Sequence, residues 1–172
     1  MNTRFCAAIA LAASLAAATA AEAQTWTPWD SAHGGVPPNA FIAGQENIVG
    51  RPGQVRILYI CQADLGLRGV HPGKVVEGSC NVGYDSKEIK WGSYQVLTNV
   101  DPQKVAWVRE SNGNVPPGAF EGGRESQRTL YVCRGSYTNG VHPGKVVDHA
   151  CNIAWGGREP HLQDYEVLVI RR

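Results

Sequence analysis

The 172-residue sequence has no basic run or stripe, and its formal net charge is only +1. Nucleic acid and anionic membrane are therefore poorly matched partners. Past the first two dozen residues, no apolar stretch is long enough to span a bilayer. There is no Cys-x-x-Cys, and no histidine stands at a ligand spacing from a cysteine, so a zinc site is not indicated. No Ser-His-Asp arrangement, nucleophile elbow or phosphate loop is evident. Glycoside hydrolysis needs two carboxylates flanking one bond, and the spacing of Glu46 and Glu88, or of Glu125 and Glu159, does not show either pair facing a common cleft. The expectation is a protein that is not an enzyme and uses no metal or cofactor.

What is present begins with a leader. Arg4 gives a short positive region, an apolar run extends from Phe5 to about Ala21, and Ala21-Glu22-Ala23 fits a small-x-small cleavage site. Residues 1–23 read as a signal peptide of bacterial style, and the mature chain as secreted or periplasmic. No cysteine follows the apolar run at the cleavage point, which argues against a lipid anchor. The remaining chain of about 150 residues can bury a core as one compact domain or two small ones. Its 20 glycines and 10 prolines punctuate it at short intervals, as suits an all-β fold with many turns.

The most informative stretch occurs twice. Val70-His71-Pro72-Gly73-Lys74-Val75 returns unchanged as Val141-His142-Pro143-Gly144-Lys145-Val146. Pro-Gly signals a type II turn, which predicts an exposed corner holding the lysine ammonium in each copy. The repetition extends well beyond it. Val36-Pro37-Pro38-Asn39-Ala40-Phe41 matches Val115-Pro116-Pro117-Gly118-Ala119-Phe120, and a glycine bend precedes Glu46 and Glu125 alike. A strand ending Leu58-Tyr59-Ile60-Cys61 matches Leu130-Tyr131-Val132-Cys133. After the hexapeptide the copies run in register without gaps to Tyr94-Gln95-Val96-Leu97 and Tyr165-Glu166-Val167-Leu168. The first copy alone carries about seven extra residues, within 47–54, which predicts a loop that the second copy lacks.

The organisation expected is residues 24–98 as one repeat, 99–106 as a linker and 107–172 as the second repeat. Two copies are too few for a solenoid, so they should pack about a pseudo-twofold axis as one β-sandwich-like body. Four cysteines remain in an oxidising compartment, with three pairings open to them; the repetition favours Cys61–Cys80 and Cys133–Cys151.

Gly-x-Val-Pro-Pro-x-Ala-Phe, x-Gly-x-Glu, Leu-Tyr-x-Cys, His-Pro-Gly-Lys-Val, Cys-Asn-x-x-Trp-Gly-Gly-Arg-Glu and Tyr-Glu-Val-Leu resemble the DM-nine repeat. Their order occurs twice, and the second copy is the cleaner match, the first having Cys80-Asn81-x-x-Tyr84-Asp85-Ser86-Lys87-Glu88 and Tyr94-Gln95-Val96-Leu97 for the last two. The resemblance implies a tandem, all-β, pseudo-twofold protein akin to the metal-independent mannose-binding lectins of that family. It implies that an acidic residue after the glycine bend and the lysine of Pro-Gly-Lys bind the sugar: Glu46 with Lys74, and Glu125 with Lys145. A carboxylate accepts from adjacent sugar hydroxyls while an ammonium donates to their oxygens, which suits mannose-type glycans or other diol-bearing sugars. The sequence departs from the lectin pattern in using Glu where those lectins use Asp, in the insertion beside Glu46, and in its extra cysteines. The second copy, with its short loop, is expected to be the better site. His71 and His142 are candidates for ligand contact or for packing, and Glu88 and Glu159 for a structural ion pair or the rim of the site. Weak sites gain by multivalency, so two sites per chain or a homodimer would suit such a protein. The alternative is an envelope protein-interaction or structural module with no sugar site.

Overall fold

The computed structural model describes residues 28–171; the leader expected over residues 1–23 lies outside the described residues. The first repeat forms β1 (Trp29–His33), β2 (Ile42–Asn47), β3 (Val55–Asp64), β4 (Val70–Val76), β5 (Ser79–Tyr84), β6 (Lys87–Trp91) and β7 (Ser93–Leu97). The second forms β8 (Val105–Ser111), β9 (Glu121–Glu125), β10 (Arg128–Tyr137), β11 (Gly140–Val147), β12 (Ala150–Ile153), β13 (His161–Leu162) and β14 (Asp164–Ile170). Every strand pairing is antiparallel, and the described residues contain no α-helix, only 3₁₀ turns at Gly66–Arg68 and Pro102–Lys104.

The two repeats wire their strands identically. In the first, β3 pairs with β2, β4 and β7, while β7 pairs with β1, β4 with β5, and β5 with β6. In the second, β10 pairs with β9, β11 and β14, while β14 pairs with β8, β11 with β12, and β12 with β13. The repeats are then joined by two equivalent cross-pairings. Gln45 and Glu46 of β2 face Val141 and Gly140 of β11, and Arg124 of β9 faces Val70 of β4. Glycine makes this approach feasible: a Cβ on Gly44 would lie 2.1 Å from the Val141 carbonyl oxygen, and one on Gly123 would lie 2.1 Å from that of Val70.

Three apolar clusters hold this arrangement. One belongs to the first repeat, around Cys61, Val82, Tyr94 and Val96, and one to the second, around Cys133, Ile153, Tyr165 and Val167. The third is shared, with Ala43, Ile60 and Leu97 against Phe120, Val132 and Leu168. Trp29 of the first repeat packs on Phe120 of the second, and Trp107 on Phe41, with ring centroids 6.1 and 6.4 Å apart. Two disulfides close the repeats, Cys61–Cys80 and Cys133–Cys151, the pairing that the repetition favours. Each constrains a loop of 19 or 18 residues, worth about 3 kcal/mol in the chain-entropy account.

The hexapeptide departs from its expected form. It is a strand and not a turn: β4 and β11 run straight through Pro-Gly, and Lys74 and Lys145 are each only 2% exposed. The proline is tolerated because β4 meets β9 at Val70 and β5 from Lys74 onward, leaving residues 71–73 unpaired on that side, where a missing N–H costs nothing. Gly73 serves close approach instead of a left-handed turn, since a Cβ there would sit 2.2 Å from the Asn81 carbonyl oxygen; Gly144 stands likewise 2.1 Å from that of Asn152.

Candidate functional site

The glutamates and lysines singled out in the sequence converge on two clefts related by the pseudo-twofold axis, and both clefts take residues from both repeats; His71 and His142 are fully buried and line neither. Cleft 1, of about 370 Å³, is lined by Glu46, Arg56, Lys74, Glu77, Asn81 and Glu88 of the first repeat, by Asn139, Trp155 and Gly156 of the second, and by Ile48 and Val49 of the β2–β3 loop. Cleft 2, of about 710 Å³, is lined by Glu125, Arg128, Lys145, Asp148, Asn152 and Glu159 of the second repeat and by Arg68, Tyr84, Asp85, Ser86 and Lys87 of the first. Position for position, Arg56 corresponds to Arg128, Glu77 to Asp148, Asn81 to Asn152, and Tyr84 to Trp155.

In cleft 1 the charges close on one another. The Glu46 side chain is 8% exposed; one oxygen accepts from Arg56 at 2.9 Å and the other lies 3.8 Å from the Lys74 ammonium. Lys74 Nζ is also 2.9 Å from Nδ1 of His142, which comes from the second repeat. His142 Nε2 lies 3.2 Å from the Tyr137 carbonyl, which can only accept, so Nε2 carries the proton and Nδ1 is an acceptor for the ammonium. One buried cation thus sits between a carboxylate of one repeat and an imidazole of the other. Burial, reinforced by Lys74, lowers the His142 pKa to about 4 and keeps it neutral. Burial also lowers the Lys74 pKa, against the opposing pull of Glu46 and Glu88.

Cleft 2 is wired differently. Lys145 pairs with Glu159 at 3.3 Å and donates to the Gly83 carbonyl, while Glu125 pairs with Arg128 at 2.6 Å, and Arg128 in turn with Asp148. Glu125 and Lys145 therefore share the cleft while each ion-pairs with another residue. His71, the counterpart of His142, donates from Nε2 to the Arg68 carbonyl at 2.8 Å, stacks edge-on against Tyr84 and leaves Nδ1 without a hydrogen-bond partner among the described residues. Burial lowers its pKa as well.

Glu88 and Glu159 fasten the repeats reciprocally. Glu88 accepts from Asn81 at 2.9 Å and from the Gly157 backbone N–H at 2.7 Å; Glu159 accepts from Asn152 at 3.3 Å and from the Ser86 N–H at 2.9 Å. These carboxylates hold the opposite repeat's hairpin against each cleft. Asn81 Oδ1 and Asn152 Oδ1 remain as buried acceptors with no hydrogen-bond partner among the described residues, one at the wall of each cleft.

The sequence singled out the glutamates, lysines and histidines but not Arg56, Arg128, Glu77, Asp148, Asn81 or Asn152. Their signal was available: each pair stands at the same distance from Cys61 and Cys133, from the repeated lysine, or within the shared Cys-Asn dipeptide. A further cleft of about 700 Å³ in the second repeat surrounds Arg134 and Glu166, but these pair at 2.7 Å, and Arg134 lies 4.2 Å over Trp107. Among the described residues, no group of three or more His, Cys, Asp or Glu is placed to hold a metal ion.

Fold and clefts together define a tandem β-repeat protein with two equivalent polar clefts at the repeat junction. The chain belongs to the DM9 repeat family, whose profile matches residues 53–149 and again residues 125–172. No curated protein matches the chain.

Proposed function

We propose that the protein is a secreted or periplasmic, metal-independent carbohydrate-binding protein of lectin type, taking mannose-type or similar diol-bearing sugars in clefts 1 and 2. The observation that carries this reading is the duplicate constellation of carboxylate, ammonium, guanidinium and asparagine, set in two concave sites. Acceptors and donors of this kind read vicinal hydroxyls. Cleft 2 has the volume of a small-molecule site, an aromatic wall in Tyr84 and an unmet acceptor in Asn152. Glu125 and Lys145 are assigned to the sugar there, and Glu46 and Lys74 in cleft 1. The buried disulfides suit an oxidising compartment.

One observation favours the second reading, a protein-interaction module. Ile42, Val55 and Ile57 of β2 and β3 are 57%, 49% and 38% exposed, while Glu121 and Thr129 stand at the second-repeat positions of Ile42 and Ile57.

A glycan array probed with the mature, disulfide-bonded protein in chelator separates the two. The expected result is binding to mannose-type glycans that Glu125→Ala, at a half-buried site, weakens at least tenfold without loss of folding. Folded protein that binds no glycan would overturn the sugar reading and direct the search to the Ile42–Ile57 face.

A further inference from the structure

The two clefts differ in one respect that the duplication does not explain. The extra residues of the first repeat form a loop that is bonded internally from Ile48 to Gln54 and anchored at its base to the second repeat. Asn47 exchanges backbone and side-chain hydrogen bonds with Asn139, and Asn139 Oδ1 accepts from the Trp155 indole at 3.1 Å. One asparagine thus ties the loop and the tryptophan together, so that Ile48, Val49 and Trp155 line the same cleft. Val49 is 79% exposed. In cleft 2 the turn Ser126–Gln127 replaces the loop, Tyr84 replaces Trp155, and Arg68 replaces Asn139, with its guanidinium 5.8 Å from the Tyr84 ring centroid. Cleft 1 is therefore smaller and lined by Ile48, Val49, Val76 and Trp155, whereas cleft 2 is larger and rimmed mostly by charged and polar side chains, with Ile89 and Val147 as its aliphatic residues.

Resting on the sugar-binding reading above, we propose that cleft 1 selects a sugar that carries a methyl group, as in a 6-deoxyhexose or an N-acetylhexosamine, while cleft 2 takes the fully hydroxylated hexose. The Glu46–Arg56–Lys74 cluster offers the polar contacts for ring hydroxyls. Ile48, Val49 and Trp155 offer the surface on which a methyl group leaves water. Contact of one methyl group with such a surface is worth about 4- to 10-fold in affinity at an open rim.

The test is an NMR titration of the full mature protein, with the Trp155 indole N–H reporting on cleft 1 and the Ser86 backbone N–H, bonded to Glu159, on cleft 2. The probes are mannose, 6-deoxymannose and N-acetylmannosamine, so that the two methyl sources are separated. The inference expects the Trp155 signal to titrate at several-fold lower concentration with at least one methyl-bearing sugar than with mannose. Val49→Ser, in an exposed loop position, should abolish that preference and leave mannose binding at Ser86 unchanged. Equal affinities at Trp155, or a preference that survives Val49→Ser, would overturn the inference. If sugars move Ser86 and never Trp155, the inference fails while the sugar reading stands. If no sugar moves either reporter, both fall.

Discussion

Clefts 1 and 2 descend from the same repeated residues, yet their charges are satisfied in different ways. In cleft 1 the glutamate, the lysine and a histidine from the other repeat form one buried cluster, and an added loop narrows the opening. In cleft 2 the glutamate turns to an exposed arginine, the lysine turns to Glu159, and the cleft is almost twice as large. Duplication therefore conserved the residues while the environment reassigned their partners. A cluster that satisfies itself is a stabilising unit that a ligand must compete with. A cleft whose glutamate is partly exposed and held by an exposed arginine gives a ligand less to displace, while the unmet asparagine oxygen is common to both clefts. This is the physical basis for expecting cleft 2 to bind more readily.

The comparison can be tested first where the clefts should behave alike. Gly44→Ala and Gly123→Ala each place a Cβ on the opposing repeat's backbone, at Val141 and Val70. Both should destabilise by about 3 kcal/mol in denaturant unfolding with disulfides intact. Unequal losses would show that the pseudo-twofold junction is not energetically symmetric.

Next come the glutamates, where the clefts should differ. Glu46→Gln removes the carboxylate between Arg56 and the buried Lys74, a loss of about 3 kcal/mol. Glu125→Gln breaks a pair with an arginine 45% exposed and should cost less than about 1 kcal/mol. Similar losses at the two sites would remove the distinction drawn between them.

Acid offers a third test. His142 titrates near 4 in the folded chain and near 6.5 when unfolded. Between these values the unfolded chain binds more protons, so stability present above pH 6.5 is lost as pH falls towards 4. The loss from this residue between pH 7 and 5 is about 2 kcal/mol, and His142→Gln, which cannot titrate, should flatten the profile by that amount. His71, also lowered, contributes in the same direction and remains in the variant.

The smallest effect concerns the hairpins at the cleft rims. Asp85 and Ser86 hold positive φ of 52° and 63°, where the second repeat has Gly156 and Gly157. Thermal unfolding should show Ser86→Gly stabilising by up to about 1 kcal/mol and Gly157→Ser destabilising by a similar amount.

The duplication, the all-β class and both disulfides were legible because strand residues, half-cystines and turn residues recur at fixed offsets. The hexapeptide misled because Pro-Gly is a local signal, whereas its conformation is set by the gap between β9 and β5, which only the tertiary pairing creates. Lys74 and Lys145 were singled out by their repetition, but their burial was hidden, since nothing in one repeat shows that the other supplies His142 or the hairpin held by Glu159. The partners of each charge, and hence the difference between the clefts, arise across a junction between residues roughly 70 positions apart.

The most direct measurement is a crystal structure of the mature protein grown in chelator and soaked with mannose, in a lattice that leaves both clefts open. The account predicts a sugar ring in cleft 2 beside Tyr84, with hydroxyls on Glu125, Lys145 and Asn152, and lower occupancy or none in cleft 1. A sugar bound away from both clefts, or none in either while the protein binds mannose in solution, would contradict it.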